Sequence, residues 1–158
     1  MLVRKAKASD VDVIFELMQE LAKHENVLEY FTCKKEDLKK LLSENFAQAL
    51  LVELDNKIIA LALFYITFVS FSGKKGLRLE VFYVKDEYRK KGVGRELFKA
   101  LNEECLKNDY KNLEFICINS NTQGYDFYSK TCKLNPIDYT YKTFVLEKND
   151  MQKMLELL

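Results

Sequence analysis

Residues 79–97 read Leu-Glu-Val-Phe-Tyr-Val-Lys-Asp-Glu-Tyr-Arg-Lys-Lys-Gly-Val-Gly-Arg-Glu-Leu, and this stretch decides the fold. Its apolar beginning predicts a buried strand, and the positions after the glycines predict an amphipathic helix. Between them, Arg89, Gly92 and Gly94 form an Arg-x-x-Gly-x-Gly turn. The first N–H groups of a helix lack partners and carry partial positive charge, and glycine lets the backbone approach a phosphate closely. The stretch therefore predicts a strand that leads into an anion-binding helix start.

The composition is that of an ordinary globular protein of 158 residues, a length that suits one domain with one core. The 25 Lys and Arg nearly balance the 24 Asp and Glu, so no overall field favours nucleic acid or a membrane surface. Against this background Arg89, Lys90, Lys91 and Arg95 form a local basic feature. We therefore expect a single domain over residues 1–158 that has no nucleic-acid partner.

The cysteines and the single histidine, His24, indicate neither a structural metal site nor a disulfide framework. No two cysteines form a Cys-x-x-Cys pair, a usage typical of a reducing cytosol. The longest apolar run, Ile58 to Val69, is shorter than the ~20 residues that a membrane helix needs, and the N-terminus has no signal-peptide pattern. The expectation is a cytoplasmic protein without a metal site and without a membrane span.

Hydrophobic periodicity predicts alternating strands and helices along the chain. The expected strands are Leu2–Ala6, Ala49–Leu54, Ile58–Phe68, Leu77–Val84, Leu113–Ile118 and Tyr139–Leu146, with a turn over Gly73–Gly76. The expected helices run from Ser9 or Asp10 to about Glu25, from Thr32 or Cys33 onward, from Gly92 to Lys107, from Thr122 to Lys130, and from Met151 to Leu158. Short links make the strands between 49 and 84 an antiparallel meander, and a helical crossover makes Leu113–Ile118 parallel to Leu77–Val84. The predicted fold is α/β, with a mixed, mostly antiparallel sheet flanked by helices.

This order of elements, together with the glycine turn, resembles the GNAT superfamily of acetyl-CoA-dependent N-acetyltransferases over nearly the whole chain. Three further features carry the resemblance: Val84 with Tyr88-Arg89 before the turn, Asn121 after the next strand, and Phe127-Tyr128 on the short helix beyond it. Within the superfamily, segments 20–25 and 79–84 look like the diamine acetyltransferases of the spermidine/spermine type and their thialysine-acetylating relatives.

The resemblance implies acetyl-CoA as co-substrate. The CoA pyrophosphate would lie on the amides and side chains of Arg89–Arg95, and the pantetheine arm on the backbone of Phe82 and Val84. An arm rich in amides needs main-chain groups, so the sheet should splay at its central parallel strand pair. The implied cofactor-binding residues are Phe82, Tyr83, Val84, Arg89, Lys90, Lys91, Gly92, Val93, Gly94, Arg95, Asn121 and Lys130. The alternatives are an ordinary loop-to-helix junction for the glycines and a solvated helix face for the cations.

Two catalytic residues follow from the same resemblance. Tyr128 would be the general acid that protonates the departing CoA thiolate, and its alternative is a core tyrosine packed beside Phe127. Glu80 is a lone carboxylate in an apolar strand, and an alkylammonium must lose a proton before it can attack a thioester. Glu80 would accept that proton through water or hold the cation, unless it forms an ion pair with Arg78, which shares its strand face. A backbone N–H on this strand should stabilise the tetrahedral intermediate.

The acceptor is less defined than the cofactor. Glu25 and Glu29 are candidates for binding a second amine of the substrate, and solvated carboxylates are an equally open interpretation. The chain has Val81 where the polyamine enzymes carry an extra acid, and Val69 and Phe71 where they carry an acid and a tryptophan. Because these departures remove negative charge, a shorter, less charged or amino-acid-like amine is expected, and thialysine is one example.

The expected function is thus acetyl transfer to a primary amine of a small molecule, such as a diamine, polyamine or lysine-like amine, by direct attack on the thioester. The alternatives are a protein lysine or N-terminal acetyltransferase, and a non-catalytic acyl-CoA-binding regulatory domain. A nucleotide-binding module is disfavoured because the chain has neither Gly-Lys-Ser/Thr nor Gly-x-Gly-x-x-Gly. The resemblance also implies a homodimer that pairs through C-terminal strands, with Tyr139–Leu146 as the candidate edge.

Overall fold

The fold is built on a sheet of five strands, described here from a computed structural model of the chain. The structure describes residues 1–137, 147, 150, 151 and 154. The chain divides into two compact units, Met1–Asn121 and Thr122–Leu158, and each is described by itself. The expectation of one domain over the whole chain stays a prediction.

The strands belong to the first unit, and their order in space follows their order in sequence. They are β1 (Leu2–Lys5), β2 (Gln48–Leu54), β3 (Lys57–Val69), β4 (Lys74–Val84) and β5 (Leu113–Phe115). Neighbouring strands are antiparallel, except that β4 and β5 are parallel. The predicted meander and the predicted parallel pair are therefore confirmed.

Helices cover both faces of this sheet. They are α1 (Val11–His24), α2 (Lys35–Ser43) and α3 (Val93–Lys107), while the second unit contains α4 (Thr122–Asp126) and a following π-helical turn, Phe127–Thr131. On one face, Leu97 and Leu101 of α3 are fully buried with Phe64 of β3. On the other face, Ile14 and Leu17 of α1 are buried beside the sheet. Each such side chain stabilises the fold by ~1.5–3 kcal/mol, so the two cores fix both helix layers on the sheet.

The alternation of the β4 side chains between the two faces of the sheet shifts by one residue at Glu80. Leu79 packs in the core on the α3 side, and so does Phe82, although strict alternation would place Val81 there. The register gives the reason: Leu63 of β3 lies opposite Val81, and the next residue of β3 lies opposite Leu79. Glu80 is therefore the extra residue of a β-bulge, which bends the strand and disrupts the ladder locally.

Three predicted boundaries were wrong. Helix α2 begins at Lys35 rather than at Thr32 or Cys33. The acids in the turn that follows Lys35 favour a helix start there. The chain reverses over Ser70–Gly73, so the predicted turn over Gly73–Gly76 lies mostly inside β4. Gly76 is required there by a close approach, because a Cβ would meet side-chain atoms of Asn112 and Thr67.

The predicted strand Leu113–Ile118 is also too long, since β5 ends at Phe115 and Ile116 is 73% exposed. Pairing with β4 ends next to the bulge at Glu80, and β5 ends with it. The predicted strand Tyr139–Leu146 lies outside the described residues. Of the predicted C-terminal helix, the described residues Met151 and Met154 are helical.

Candidate active site

Strands β4 and β5 separate just before the bulge. Their last paired residues are Leu79 and Phe115, while β4 continues beside β3 as far as Val84. Among the described residues, the strand that pairs with this last part of β4 is β3, and β5 has ended on the other edge. This arrangement matches the predicted splay of the parallel pair.

The direction of the backbone groups in this segment of β4 follows from one hydrogen bond. The N–H of Lys85 donates to the carbonyl of Ile59 at 3.0 Å, so the backbone of Lys85 faces β3. Because successive residues of a strand point their N–H and C=O groups to opposite edges, Tyr83 faces β3 too. Phe82 and Val84 face the edge that β5 has left.

The turn after β4 presents the start of α3 beside this edge. Lys90 and Gly92 have φ angles of 59° and 85°, in the left-handed region, and α3 begins directly afterwards at Val93. A Cβ at Gly92 would meet no atom within 4 Å, so the backbone angle rather than space requires glycine there. Val93 is buried and anchors the helix start in the α3-side core. The first amides of α3 have no acceptor within the helix and carry the positive end of its dipole.

Arg89 braces this turn. Its Nε donates to the carbonyl of Val84 at 2.9 Å, and its Nη2 lies 2.8 Å from Asp86 Oδ1. Its Nη1 lies 3.3 Å from His24 Nε2, and the guanidinium stands 5.4 Å from the centre of the Tyr83 ring. The predicted contact between the Arg89 side chain and a pyrophosphate therefore has to compete with these four contacts. The other cations of the turn, Lys90, Lys91 and Arg95, are at least partly exposed.

Tyr83 supports Arg89 from the side of α1 and α2. Its side chain is buried in the core on that side of the sheet, with 6% of its surface exposed. Burial raises the pKa of Tyr83 to about 12, and the charges of Glu20 and Asp86 act in the same direction. Tyr83 therefore remains a neutral phenol at physiological pH, and its ring packs beneath the Arg89 guanidinium.

Glu80 is half-exposed and paired, rather than buried in the strand. Its Oε1 lies 3.2 Å from Arg78 Nε, and Arg78 Nη1 lies 2.6 Å from Glu114 Oε1 on β5. The side chains of Glu80 and Glu114 are 48% and 46% exposed, and that of Arg78 is 19% exposed. The ion pair with Arg78 that the sequence left open is thus present, and it extends to a second carboxylate that the sequence did not indicate.

The remaining acceptor candidates lie near the end of α1. Asn121, after β5, donates from Nδ2 to Glu25 Oε1 at 3.2 Å, so the structure joins two predicted residues that are far apart in sequence. Glu29 lies on the exposed turn Leu28–Tyr30. Burial, followed by the charge of Glu25, raises the pKa of the Cys117 thiol, which makes it a poor nucleophile.

Tyr128 lies in the second unit, on the π-helical turn that follows α4. It is half-buried, and its ring packs edge-on against Phe127 with the ring centres 5.3 Å apart. Tyr125 is 50% exposed, and the ammonium of Lys130 lies 2.9 Å from Asp126 on the preceding turn. π-Helical turns are rare and are frequent at functional sites, a signal that the sequence did not carry.

Metal clusters and membrane spans are both lacking among the described residues. In those residues, no group of three or more His, Cys, Asp or Glu side chains is arranged to hold a metal ion. No helix in the same residues is both long enough and apolar enough to cross a membrane.

This five-strand sheet with its flanking helices is the fold of a class of acyltransferases. The chain belongs to the Acetyltransferase (GNAT) family, whose family model matches residues 15–133. It is therefore a transferase that acts as an N-acetyltransferase. The match runs across the division between the two units at Asn121.

Curated relatives agree with this family. Over 139 residues, the chain is 28% identical to human spermidine/spermine N(1)-acetyltransferase-like protein 1, covering 80% of this chain and 19% of that protein. The chain thus spans about a fifth of the length of that relative. It is 26% identical to thialysine N-epsilon-acetyltransferase of Bos taurus over 137 residues, which cover 80% of each.

Solved structures share the fold. An aminoglycoside acetyltransferase from an uncultured soil metagenomic sample has a TM-score of 0.75 and 18% identity, covering 91% of this chain and 96% of that one. A possible acetyltransferase from Clostridium difficile 630 has a TM-score of 0.74 and 22% identity, covering 92% and 98%.

Proposed function

We propose that this N-acetyltransferase takes its acetyl group from acetyl-CoA and moves it to a primary amine of a small molecule. The observation that carries the proposal is the separation of β4 and β5 beside the start of α3. A strand edge with outward-facing backbone groups and a helix start rich in amides suit the two polar portions of CoA, its pantetheine arm and its pyrophosphate. The small-molecule acceptor is supported by the relatives named for spermidine, spermine and thialysine.

In this proposal the cofactor residues divide into two groups. The amides of Val93, Gly94 and Arg95 and the other cations of the turn bind the pyrophosphate, and the edge formed by Phe82 and Val84 receives the pantetheine. The second group acts indirectly: Arg89 holds the turn to β4, and Tyr83 supports Arg89 from below. Asn121 fixes the end of α1 through its hydrogen bond to Glu25. Lys130 stays a proposed cofactor-binding residue.

Acetyl-CoA supplies an activated thioester carbonyl, and the chain supplies proton transfer and charge stabilisation. Glu80 accepts a proton from the incoming ammonium or holds the cation, and its half-exposed carboxylate is accessible for either task. A backbone N–H of β4 near the bulge binds the developing oxyanion, because a bulge takes a residue out of the ladder. Tyr128 protonates the departing thiolate.

A homodimer and a cytosolic location remain within the proposal. The dimer rests on the family resemblance and is measured by size-exclusion chromatography with light scattering. The cytosolic location rests on the usage of the four cysteines, which are free thiols.

The proposal is tested by the release of free CoA thiol from acetyl-CoA in the presence of diamines, lysine analogues and peptides. We expect release with small primary amines. Release only with peptides would favour a protein acetyltransferase, and no release with any acceptor would favour an acyl-CoA-binding regulatory domain.

Replacing Tyr128 with Phe tests the general acid. Loss of proton transfer should lower kcat by about 10²–10⁴-fold while the affinity for CoA stays nearly intact. Tyr125→Phe is the matched control, because it removes a hydroxyl from an exposed tyrosine just before Tyr128 and should leave kcat within about twofold of the wild type. Unchanged turnover in Tyr128→Phe would remove Tyr128 from the mechanism.

A further inference from the structure

His24, in the last turn of α1, contacts the turn after β4 that is proposed to bind acetyl-CoA. Its Nε2 lies 3.3 Å from Arg89 Nη1. Of the four contacts of Arg89 described above, three lie within β4 and the turn itself, with Tyr83, Val84 and Asp86. The contact with His24 therefore joins the turn to a separate element, through the arginine of the Arg-x-x-Gly-x-Gly sequence.

The chemistry of this contact requires a neutral His24. An arginine keeps its proton and offers only N–H donors, so Nε2 is the acceptor and the proton of the imidazole lies on Nδ1. An imidazolium has no acceptor, and its charge would stand 3.3 Å from that of the guanidinium. The side chain of His24 is exposed, so protons of the solvent reach it. Protonation of His24 therefore breaks its contact with Arg89.

A second contact between α1 and this end of β4 does not depend on a histidine. Glu20 lies one turn before His24 on the same face of α1, and its Oε1 is 3.2 Å from Lys85 Nζ. Histidine is the side-chain type that ordinarily changes its charge between about pH 5 and 8. Of these two contacts, the one made by His24 is thus the one that responds to pH near neutrality.

The charges around His24 nearly cancel. Among the described residues, the groups that surround the same open depression are Glu20 and Lys23 on α1, Tyr83 on β4, and Lys85, Asp86 and Glu87 after it. Together with Arg89 they include three carboxylates and three cations. Protonation of His24 therefore acts chiefly on its nearest charged contact, the guanidinium of Arg89.

We propose that neutral His24 is a positioning residue that holds Arg89 and the turn ready for acetyl-CoA, and that protonation of His24 weakens the binding of acetyl-CoA. This inference rests on the proposed function, in which the turn binds the pyrophosphate. Arg89 sets the turn on the end of β4 through the carbonyl of Val84. Without the contact on α1 the guanidinium is less well fixed, and ordering the turn around the cofactor then costs more conformational entropy.

The dissociation constant of CoA, measured by isothermal titration calorimetry from about pH 5.5 to 8, tests this role. In His24→Gln, an amide oxygen can accept from Arg89 and the side chain does not titrate. As the pH falls over this range, the Kd of the wild type should rise by about threefold to tenfold more than that of His24→Gln. A phosphate monoester of CoA also titrates, at about pH 6, and comparing the two proteins removes its effect because it acts on both alike.

Two further variants serve as controls. His24→Lys carries a permanent charge and no acceptor, so its affinity for CoA at the upper end of the pH range should be about as weak as that of the wild type at the lower end. Lys23→Gln removes the neighbouring cation from the same depression and should keep the pH profile of the wild type.

The outcomes separate this inference from the proposed function. Parallel pH profiles in the wild type and His24→Gln overturn the role of His24 and leave cofactor binding standing. Relatively tighter binding by the wild type at low pH also overturns it, because the imidazolium would then attract the phosphates. If His24→Gln does not fold, wild-type affinity in His24→Lys at the upper end of the range overturns it. Absence of CoA binding by the wild type at every pH overturns both proposals.

Discussion

Two arginines of this protein each bind two carboxylates, and the difference between them separates a structural network from a proposed site. Arg4 donates to both oxygens of Asp10, at 2.7 and 2.9 Å, and to Glu53 at 2.8 Å. Arg78 makes one contact to each of Glu80 and Glu114, at 3.2 and 2.6 Å.

The two arginine side chains are almost equally exposed, at 21% and 19%. The carboxylates differ: Asp10 is 11% exposed and Glu80 is 48% exposed. The first network therefore satisfies its charges internally, whereas the second keeps its carboxylates where a ligand can reach them.

The largest expected effect comes from breaking the second network at its carboxylate. Glu80→Gln keeps the shape of the side chain but removes its charge, so kcat/KM for small amines near neutral pH should fall by about 10²–10⁴-fold. Stability should change by less than about 1 kcal/mol, because the ion pair is half in water. Steady-state thiol release and thermal unfolding measure the two quantities. Full turnover in Glu80→Gln would reduce Glu80 to a partner of Arg78.

The matched substitution in the Arg4 network should lower stability and leave activity unchanged. Asp10→Asn removes a bidentate ion pair and weakens the acceptor for the N–H of Lys7, which donates to Asp10 at 2.6 Å. The free energy of unfolding should fall by about 2–3 kcal/mol, while kcat/KM per folded molecule stays near that of the wild type. Denaturant unfolding and thiol release test this together. A loss of activity without a loss of stability would contradict the structural role of Asp10.

A smaller effect is the pH dependence of the stability that Asp10 contributes through its ion pair with Arg4. Hydrogen bonding from Arg4, the largest cause, lowers the pKa of Asp10 below its ordinary 3.8. The unfolded chain therefore binds the proton more readily. The contribution of Asp10 to stability is complete above its unfolded pKa and is lost as the pH falls through its lower folded pKa. The stability difference between wild type and Asp10→Asn should shrink as the pH falls below 3.8, and a constant difference would contradict this origin.

The features that the sequence predicted correctly rest on local patterns. The strand, the glycine turn and the helix from 79 to 107 are periodic and adjacent, and the helical crossover makes the next strand parallel. The bulge at Glu80 carries no such signal, because residues 81–84 are apolar on both faces and do not reveal their register. The partnership of Arg78 with Glu114 depends on the β4–β5 register, which a strand prediction does not fix.

The first network shows the same limit. The sequence predicts that the first helix begins at Ser9 or Asp10, and Asp10 does precede α1, but its side chain makes no capping bond to that helix. Its carboxylate turns to Arg4 on β1 instead, because a guanidinium is the stronger partner. Side-chain partners that come from different elements follow from packing, and a single sequence gives little information about them.

The central claim is that acetyl-CoA lies along the edge of β4 that β5 leaves open, and amide hydrogen exchange tests it most directly. The N–H of Val84 faces this edge, while that of the adjacent Lys85 donates to Ile59 on β3. Addition of acetyl-CoA should slow exchange at Val84 by at least about tenfold more than at Lys85, because a new acceptor protects only the first. Equal slowing at both amides, or none at Val84, would contradict the account.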